Sequence, residues 1–216
     1  MDRPSLHSSL AGRLALVTGA GREYGRAIAL RLGRAGAQLV LADLNPDAVQ
    51  ATADLVRAAG GQAEVQTVDV GHKLAVQTML YTVLETHPRI DVLVTAAFHD
   101  PRTPALRLDE AEWNRTLDVS LKGAFLVAQT VARAMQATGG GVILNVLRPA
   151  AQLPAVGRAA QAGLAALSAA LAEEWAPLGV RVESVPAADP EAGAAAVLSR
   201  LAGLIANTAH LPSEPS

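Results

Sequence analysis

Short aliphatic runs and longer stretches of helical periodicity alternate along this chain about every 25 residues, a rhythm that restricts the fold more than any single residue does. The runs lie at 14–18, 38–43, 63–68, 90–96, 141–147 and 180–185. Between them the punctuation is helical. Asn45-Pro46 supplies a cap and a first-turn proline, and Gly60 closes that helix. Asp109 with Glu112 forms a capping box for a long helix ending near Ala137, and Gly139-Gly140-Gly141 then breaks the chain. A further helix is predicted over 155–176. Asp189-Pro190-Glu191 starts a last one that ends near Asn207. Strands separated by helices imply right-handed βαβ units, hence an α/β fold with a doubly wound parallel sheet of about six strands. The expected organisation is one domain over residues 1–216, with loose tails at 1–11 and 211–216.

With 50% hydrophobic residues and a net charge of −2, the chain can bury one sizeable core and has no basic surplus for nucleic acid. Aromatic residues are only 3%, so that core must be aliphatic. The absence of cysteine excludes thiol nucleophiles, disulfides and thiolate-bound zinc. His7, His72, His87 and His210 are scattered, so no metal site is expected, and no Gly-x-Ser-x-Gly elbow is present. Neither a leader nor an uninterrupted apolar span is read, which makes a cytoplasmic location and no membrane contact the default.

After the first run comes TGAGREYGRAIA, residues 18–29, a glycine-rich turn opening a helix. Such a turn allows close backbone approach, and the helix N-terminus offers N–H groups to a pyrophosphate. The segment resembles the phosphate loop of the short-chain dehydrogenase/reductase family, Thr-Gly-x-x-x-Gly-x-Gly. The resemblance spans residues 12–186 and implies a Rossmann-like domain, a nicotinamide cofactor and oxidoreductase chemistry. Gly19, Gly21 and Gly25 lie in this loop; Gly19 and Gly25 match the family's first and last glycines, and Glu23 stands at the middle one. Asp43, ending the second run, falls where NAD-preferring members hold the adenosine ribose. Asp69-Val70 matches the pair that contacts adenine.

Glu23 sits where the helix dipole favours a carboxylate by about 0.3–1 kcal/mol. It therefore competes for the spot a phosphate needs. The expectation is no cofactor, with weak or absent NAD(H) binding; if Glu23 instead swings out to solvent, the loop still holds NAD.

The resemblance also implies an Asn-Ser-Tyr-Lys catalytic set, in which a lysine lowers the pKa of a tyrosine four residues before it. Here the tyrosines are Tyr24 and Tyr81 and the lysines Lys73 and Lys122, so no such spacing exists. Counting back from Leu171-Ala172-Glu173-Glu174-Trp175 puts Gly157 and Gln161 at the tyrosine and lysine positions. Counting forward from the serine position, Leu147 or Arg148, gives Gln161 and Ala165. Ser120 replaces the asparagine. Phe98 replaces a glycine after the fourth strand and is expected to crowd the nicotinamide end. His99 and Arg148 are the candidates for a new chemistry, as acid/base and as clamp for an anionic oxygen. Tyr24 is read as packing within the first helix turn.

The leading expectation is therefore a non-catalytic subunit. It would associate with itself or with an active short-chain dehydrogenase through helices 109–137 and 155–176, anchored by Trp113, Phe125 and Trp175. Two alternatives stand beside it: a cofactor-independent enzyme (isomerase, cyclase or lyase) in the old cleft, and an NAD-dependent oxidoreductase. The family's seventh strand and its substrate-covering segment are missing after Pro186, so a dimer is expected.

Overall fold

The structure, a computed structural model, describes residues 10–206. Six strands, β1 (Leu14–Thr18), β2 (Gln38–Asp43), β3 (Gln62–Thr67), β4 (Val92–Thr95), β5 (Gly141–Leu147) and β6 (Val180–Pro186), form one sheet. Their order is β3-β2-β1-β4-β5-β6 and every pairing is parallel. The connecting helices are α1 (Glu23–Arg34), α2 (Pro46–Ala58), α3 (Lys73–Thr86), α4 (Glu110–Leu117), α5 (Ala124–Ala137), α6 (Ala155–Trp175) and α7 (Pro190–Ala206). This is the doubly wound, Rossmann-like α/β arrangement that the alternation predicts. The strand order reverses between β1 and β4, and that switch point opens a crevice at the carboxyl ends of the strands.

The two faces follow from strand alternation. Leu14 and Leu16 of β1 point to a core built with Val76 and Val83 of α3, Val127 and Val131 of α5, and Leu171 and Trp175 of α6. Ala15 and Val17 point the other way, onto Ile28 and Leu32 of α1, Val49 and Val56 of α2, and Val197 and Leu201 of α7. Both N-caps form: Asn45 Oδ1 accepts from the Ala48 N–H (3.1 Å), and Asp109 Oδ1 accepts from the Glu112 N–H (2.7 Å), one half of the expected capping box.

Four details differ from the sequence reading. The fourth strand is shorter at its start, because the Asp91 carboxylate accepts the Leu14 N–H at 2.8 Å where a ladder carbonyl would stand. The helix expected over 109–137 is interrupted by a π-helical turn, Asp118–Gly123, between α4 and α5. There Gly123 approaches Val70 so closely that an added Cβ would lie 2.8 Å from Val70 Cγ2. Trp175, expected as an interface anchor, is buried in the core of its own chain. Finally, Leu10 is buried and its N–H reaches the Ala35 carbonyl at 3.1 Å, so residue 10 is no loose tail. Residues 1–9 and 211–216 lie outside the described residues.

One described segment, Ala155–Leu178, is long and apolar enough to cross a bilayer by length and composition. Its α6 portion covers the sheet instead. It buries Ser168 as a hydrogen-bonding partner of Asn145 in β5 and Gln161 as a partner of the Arg148 N–H just after that strand, which a lipid-facing helix would not do.

Candidate functional site

At the switch point the loop after β1 has no room for side chains. Gly19 adopts φ +69°, and a Cβ there would overlap the Ala96 carbonyl and lie 2.6 Å from the Ala97 nitrogen. A Cβ on Gly25 would overlap the Gly19 carbonyl oxygen, and one on Gly21 would lie 2.8 Å from the Ala48 Cβ. Asp43 ties the loop to the end of β2: its Oδ2 accepts the Gly21 N–H (2.9 Å) and its Oδ1 the Asn45 N–H (3.0 Å). Arg26 of α1 binds the Gly21 carbonyl (2.8 Å) and Thr52 of α2 (3.2 Å). No side chain caps α1. A helix N-terminus behind such a turn fits a pyrophosphate, and a carboxylate at the end of the second strand fits ribose hydroxyls.

Glu23 occupies the first position of α1, exposed to solvent, and makes no hydrogen bond or ion pair among the described residues. Nothing among the described residues locks its carboxylate into the phosphate position. Phe98 does not stand free in the crevice either. It packs on the core, edge-on to the buried Tyr24, with ring centroids 6.2 Å apart.

Asp69 and Val70 follow β3. Asp69 Oδ1 accepts from the Gly71 N–H (3.0 Å) and Oδ2 pairs with Arg115 of α4 (2.8 Å); Val70 is buried. Burial pushes the Asp69 carboxyl up, but the Arg115 hydrogen bond, the Gly71 N–H and the charges of Arg115 and His72 outweigh it. The group is held below the ordinary aspartate range. A depressed value means stability that is complete above the unfolded-state pKa of about 3.9 and is lost as pH falls through the folded value. Arg115→Met is expected to lower urea-unfolding stability by about 0.5–1 kcal/mol at neutral pH, the pair being partly solvated. The gap from the parent protein should close on acidification below the ordinary aspartate pKa; a gap that persists there would show that the pair is not its source.

The residues that the resemblance puts at catalytic positions lie near the ends of β4 and β5. Ser120, buried in the π-helical turn, accepts the His99 N–H at 3.0 Å. Gln161, buried on α6, accepts the Arg148 N–H at 2.8 Å. Gly157 lies one turn earlier against Leu153 and Pro154. The Arg148 guanidinium pairs with Asp100 (3.1 Å) and lies 5.7 Å from the Phe98 ring centroid and 5.9 Å from that of Tyr24. Arg148 thus engages both chain neighbours of His99, and its Nε is buried without a hydrogen-bond partner among the described residues. Thr116 was not legible as a site residue. Its hydroxyl meets His99 Nδ1 at 3.1 Å, and the only signal was its place one helical turn before Ser120.

The pattern of the family described as short chain dehydrogenase matches residues 13–200. The chain belongs to this family. It is 34% identical over 181 residues, 82% of this chain and 72% of the other, to the (2S)-[(R)-hydroxy(phenyl)methyl]succinyl-CoA dehydrogenase subunit BbsD of Thauera aromatica. It is 34% identical over 180 residues, 82% of this chain and 69% of the other, to the D-threitol dehydrogenase of Mycolicibacterium smegmatis. Among solved structures, a metagenomic short-chain oxidoreductase in complex with NADP superposes with a TM-score of 0.83 at 35% identity, covering 90% of this chain and 93% of that one.

These relatives overturn the leading expectation of a non-catalytic subunit, because proteins of this similarity are named as working dehydrogenases and reductases. They also withdraw support from the expectation of no cofactor. Glu23 is one exposed carboxylate beside a loop whose close approaches are set by Gly19, Gly21 and Gly25.

Proposed function

We propose that this short-chain dehydrogenase is a nicotinamide-dependent oxidoreductase that interconverts an alcohol and a carbonyl compound. The observation that carries the reading is the phosphate loop. Gly19 and Gly25 leave no space for a Cβ, and Asp43 is pinned across the loop by two backbone N–H groups. When bound there, a nicotinamide dinucleotide supplies the hydride acceptor or donor. Gly19, Gly21 and the first turn of α1 would hold its phosphates, Asp43 the adenosine ribose, and Asp69-Val70 the adenine. Asp43 favours NAD over NADP, since a 2′-phosphate would face its carboxylate. In this reading the reaction runs without a Tyr-Lys pair, because positions 157 and 161 hold glycine and glutamine.

Calorimetry with NADH and NADPH, followed by a turnover screen with threitol, glycerol and cis-4-hydroxycyclohexanecarboxylate, tests the reading. These alcohols are those named for relatives. NADH should bind more tightly than NADPH, and Asp43→Ser should narrow that difference by about tenfold, the equivalent of about 1.4 kcal/mol. If neither dinucleotide binds, the reading fails.

We infer further that two copies pair through α4, α5 and α6. Supporting this, Trp113 is exposed, and Leu117, Leu121, Phe125, Gly163 and Leu167 line an apolar groove of about 380 Å³ between these helices. Light scattering should give a dimer, and Leu121→Glu a monomer.

A further inference from the structure

His99 is wired into one tautomer by a neighbour that the family's chemistry does not use. The Thr116 hydroxyl lies 2.8 Å from the Glu112 carbonyl, to which it donates. A hydroxyl has a single proton, so toward His99 Nδ1, 3.1 Å away, Thr116 is left only an accepting lone pair. Nδ1 therefore carries hydrogen, and Nε2 is the basic nitrogen of the neutral ring. Among the described residues Nε2 has no hydrogen-bond partner, and it is absent from the buried unsatisfied atoms although the ring is half-buried. The backbone is held as well, by the Ser120 hydroxyl on the His99 N–H at 3.0 Å. Protonation at Nε2 leaves the Nδ1–H to Thr116 bond intact, so the ring takes up or gives back a proton without moving a heavy atom.

We propose that His99 is the proton carrier of the redox step, with Thr116 and Ser120 as its positioning residues. This rests on the oxidoreductase reading and adds to it the group that does the work of the absent tyrosine. In alcohol oxidation the substrate O–H bond breaks and its proton passes to His99 Nε2. The electrons of that bond form the carbonyl, and the hydride on the same carbon would go to the nicotinamide dinucleotide of the proposed function. In carbonyl reduction the same atoms move in reverse, and the imidazolium returns the proton to the new hydroxyl. The location agrees with this role: His99 follows β4 at the switch-point crevice, and its neighbours Phe98 and Asp100 are bound to Arg148 from the end of β5.

Two readouts test the proposal. Nitrogen-15 correlation spectra of histidine-labelled protein should show neutral His99 protonated at Nδ1, and Thr116→Val should shift it to Nε2. This measurement needs neither cofactor nor substrate. His99→Gln should lower kcat by on the order of 10²–10⁴ with the best alcohol of the screen, the usual loss on removing a positioned acid or base. Its Kd for NADH should equal the parent's, which also shows that the variant is folded. Thr116→Val should lower kcat by about tenfold with KM unchanged. An Nε2-protonated ring in the parent, or full kcat in His99→Gln, overturns the proposal while leaving the oxidoreductase reading in place. Failure of the parent to bind dinucleotide overturns that reading and this proposal with it.

Discussion

Gly19→Ala is expected to lose about 3 kcal/mol of folding stability together with measurable dinucleotide affinity. Two costs combine. An alanine at φ +69° sits in the left-handed region, which disfavours a Cβ by about 1–2 kcal/mol. That Cβ also runs into the Ala96 carbonyl and the Ala97 nitrogen, backbone atoms of the loop after β4 that have no rotamer to escape into. Overpacking of this kind costs about 1–3 kcal/mol. Gly12 separates the two terms. It has φ +73° with nothing within 4 Å of an added Cβ, so Gly12→Ala carries the strain alone. Urea unfolding should place Gly12→Ala about 1 kcal/mol below the parent and Gly19→Ala clearly further. Equal losses would mean that the β1 and β4 loops do not approach as described. Calorimetry with NADH reports the functional half, because the same displacement opens the loop that receives the phosphates.

Asn145→Ala is the second large effect, at about 2–4 kcal/mol. Asn145 is buried on β5 and joins three elements. Its Oδ1 accepts from the Thr95 hydroxyl of β4 at 2.6 Å, and its Nδ2 donates to the Ser168 hydroxyl of α6 at 2.9 Å. Ser168 in turn donates to the Leu164 carbonyl at 2.7 Å. Removing the amide leaves the Thr95 proton without an acceptor and adds a cavity, each costing about 1–3 kcal/mol. Ser168→Ala deletes only the outer end of the chain and should cost about 1 kcal/mol. Chemical denaturation of both variants checks the ranking; a smaller loss for Asn145→Ala than for Ser168→Ala would refute it. The chain of hydrogen bonds also holds α6 against the strand ends, and with it the Gln161 carbonyl that fixes Arg148. Asn145→Ala should therefore impair turnover even where folding is restored by lower temperature.

Much of the scaffold was legible before any coordinate. Asn45 and Asp109 announced their helices because a cap is a contact over three residues, and the glycines at 19, 21 and 25 announced the loop because their spacing is local. Glu23 marks a limit of such reading, at the step from residue type to side-chain direction. A carboxylate in a first turn is attracted by the dipole, but whether it lies in the cradle or outside depends on what surrounds it. Trp175 shows the same limit. A large aromatic on a helix stripe suits an interface or a core equally, and its burial in the core on one face of the sheet was decided by packing. The missing tyrosine was plain in the sequence. It argued against one proton donor, yet was read as evidence against the whole reaction, which the active relatives contradict.

The amino-acid sequence alone determined the α/β alternation, the parallel sheet and the family, because strand and helix periods, caps and glycine spacing are written within a few neighbouring residues. Tertiary structure alone decided that Arg148 lies beside Phe98 and Tyr24 and pairs with Asp100, and that the Thr116 hydroxyl meets His99. Those arrangements join residues far apart in the chain, 17 positions for Thr116 and His99 and 48 for Arg148 and Asp100. Their hydrogen-bond directions exist only once the strand ends and α4 have been brought together.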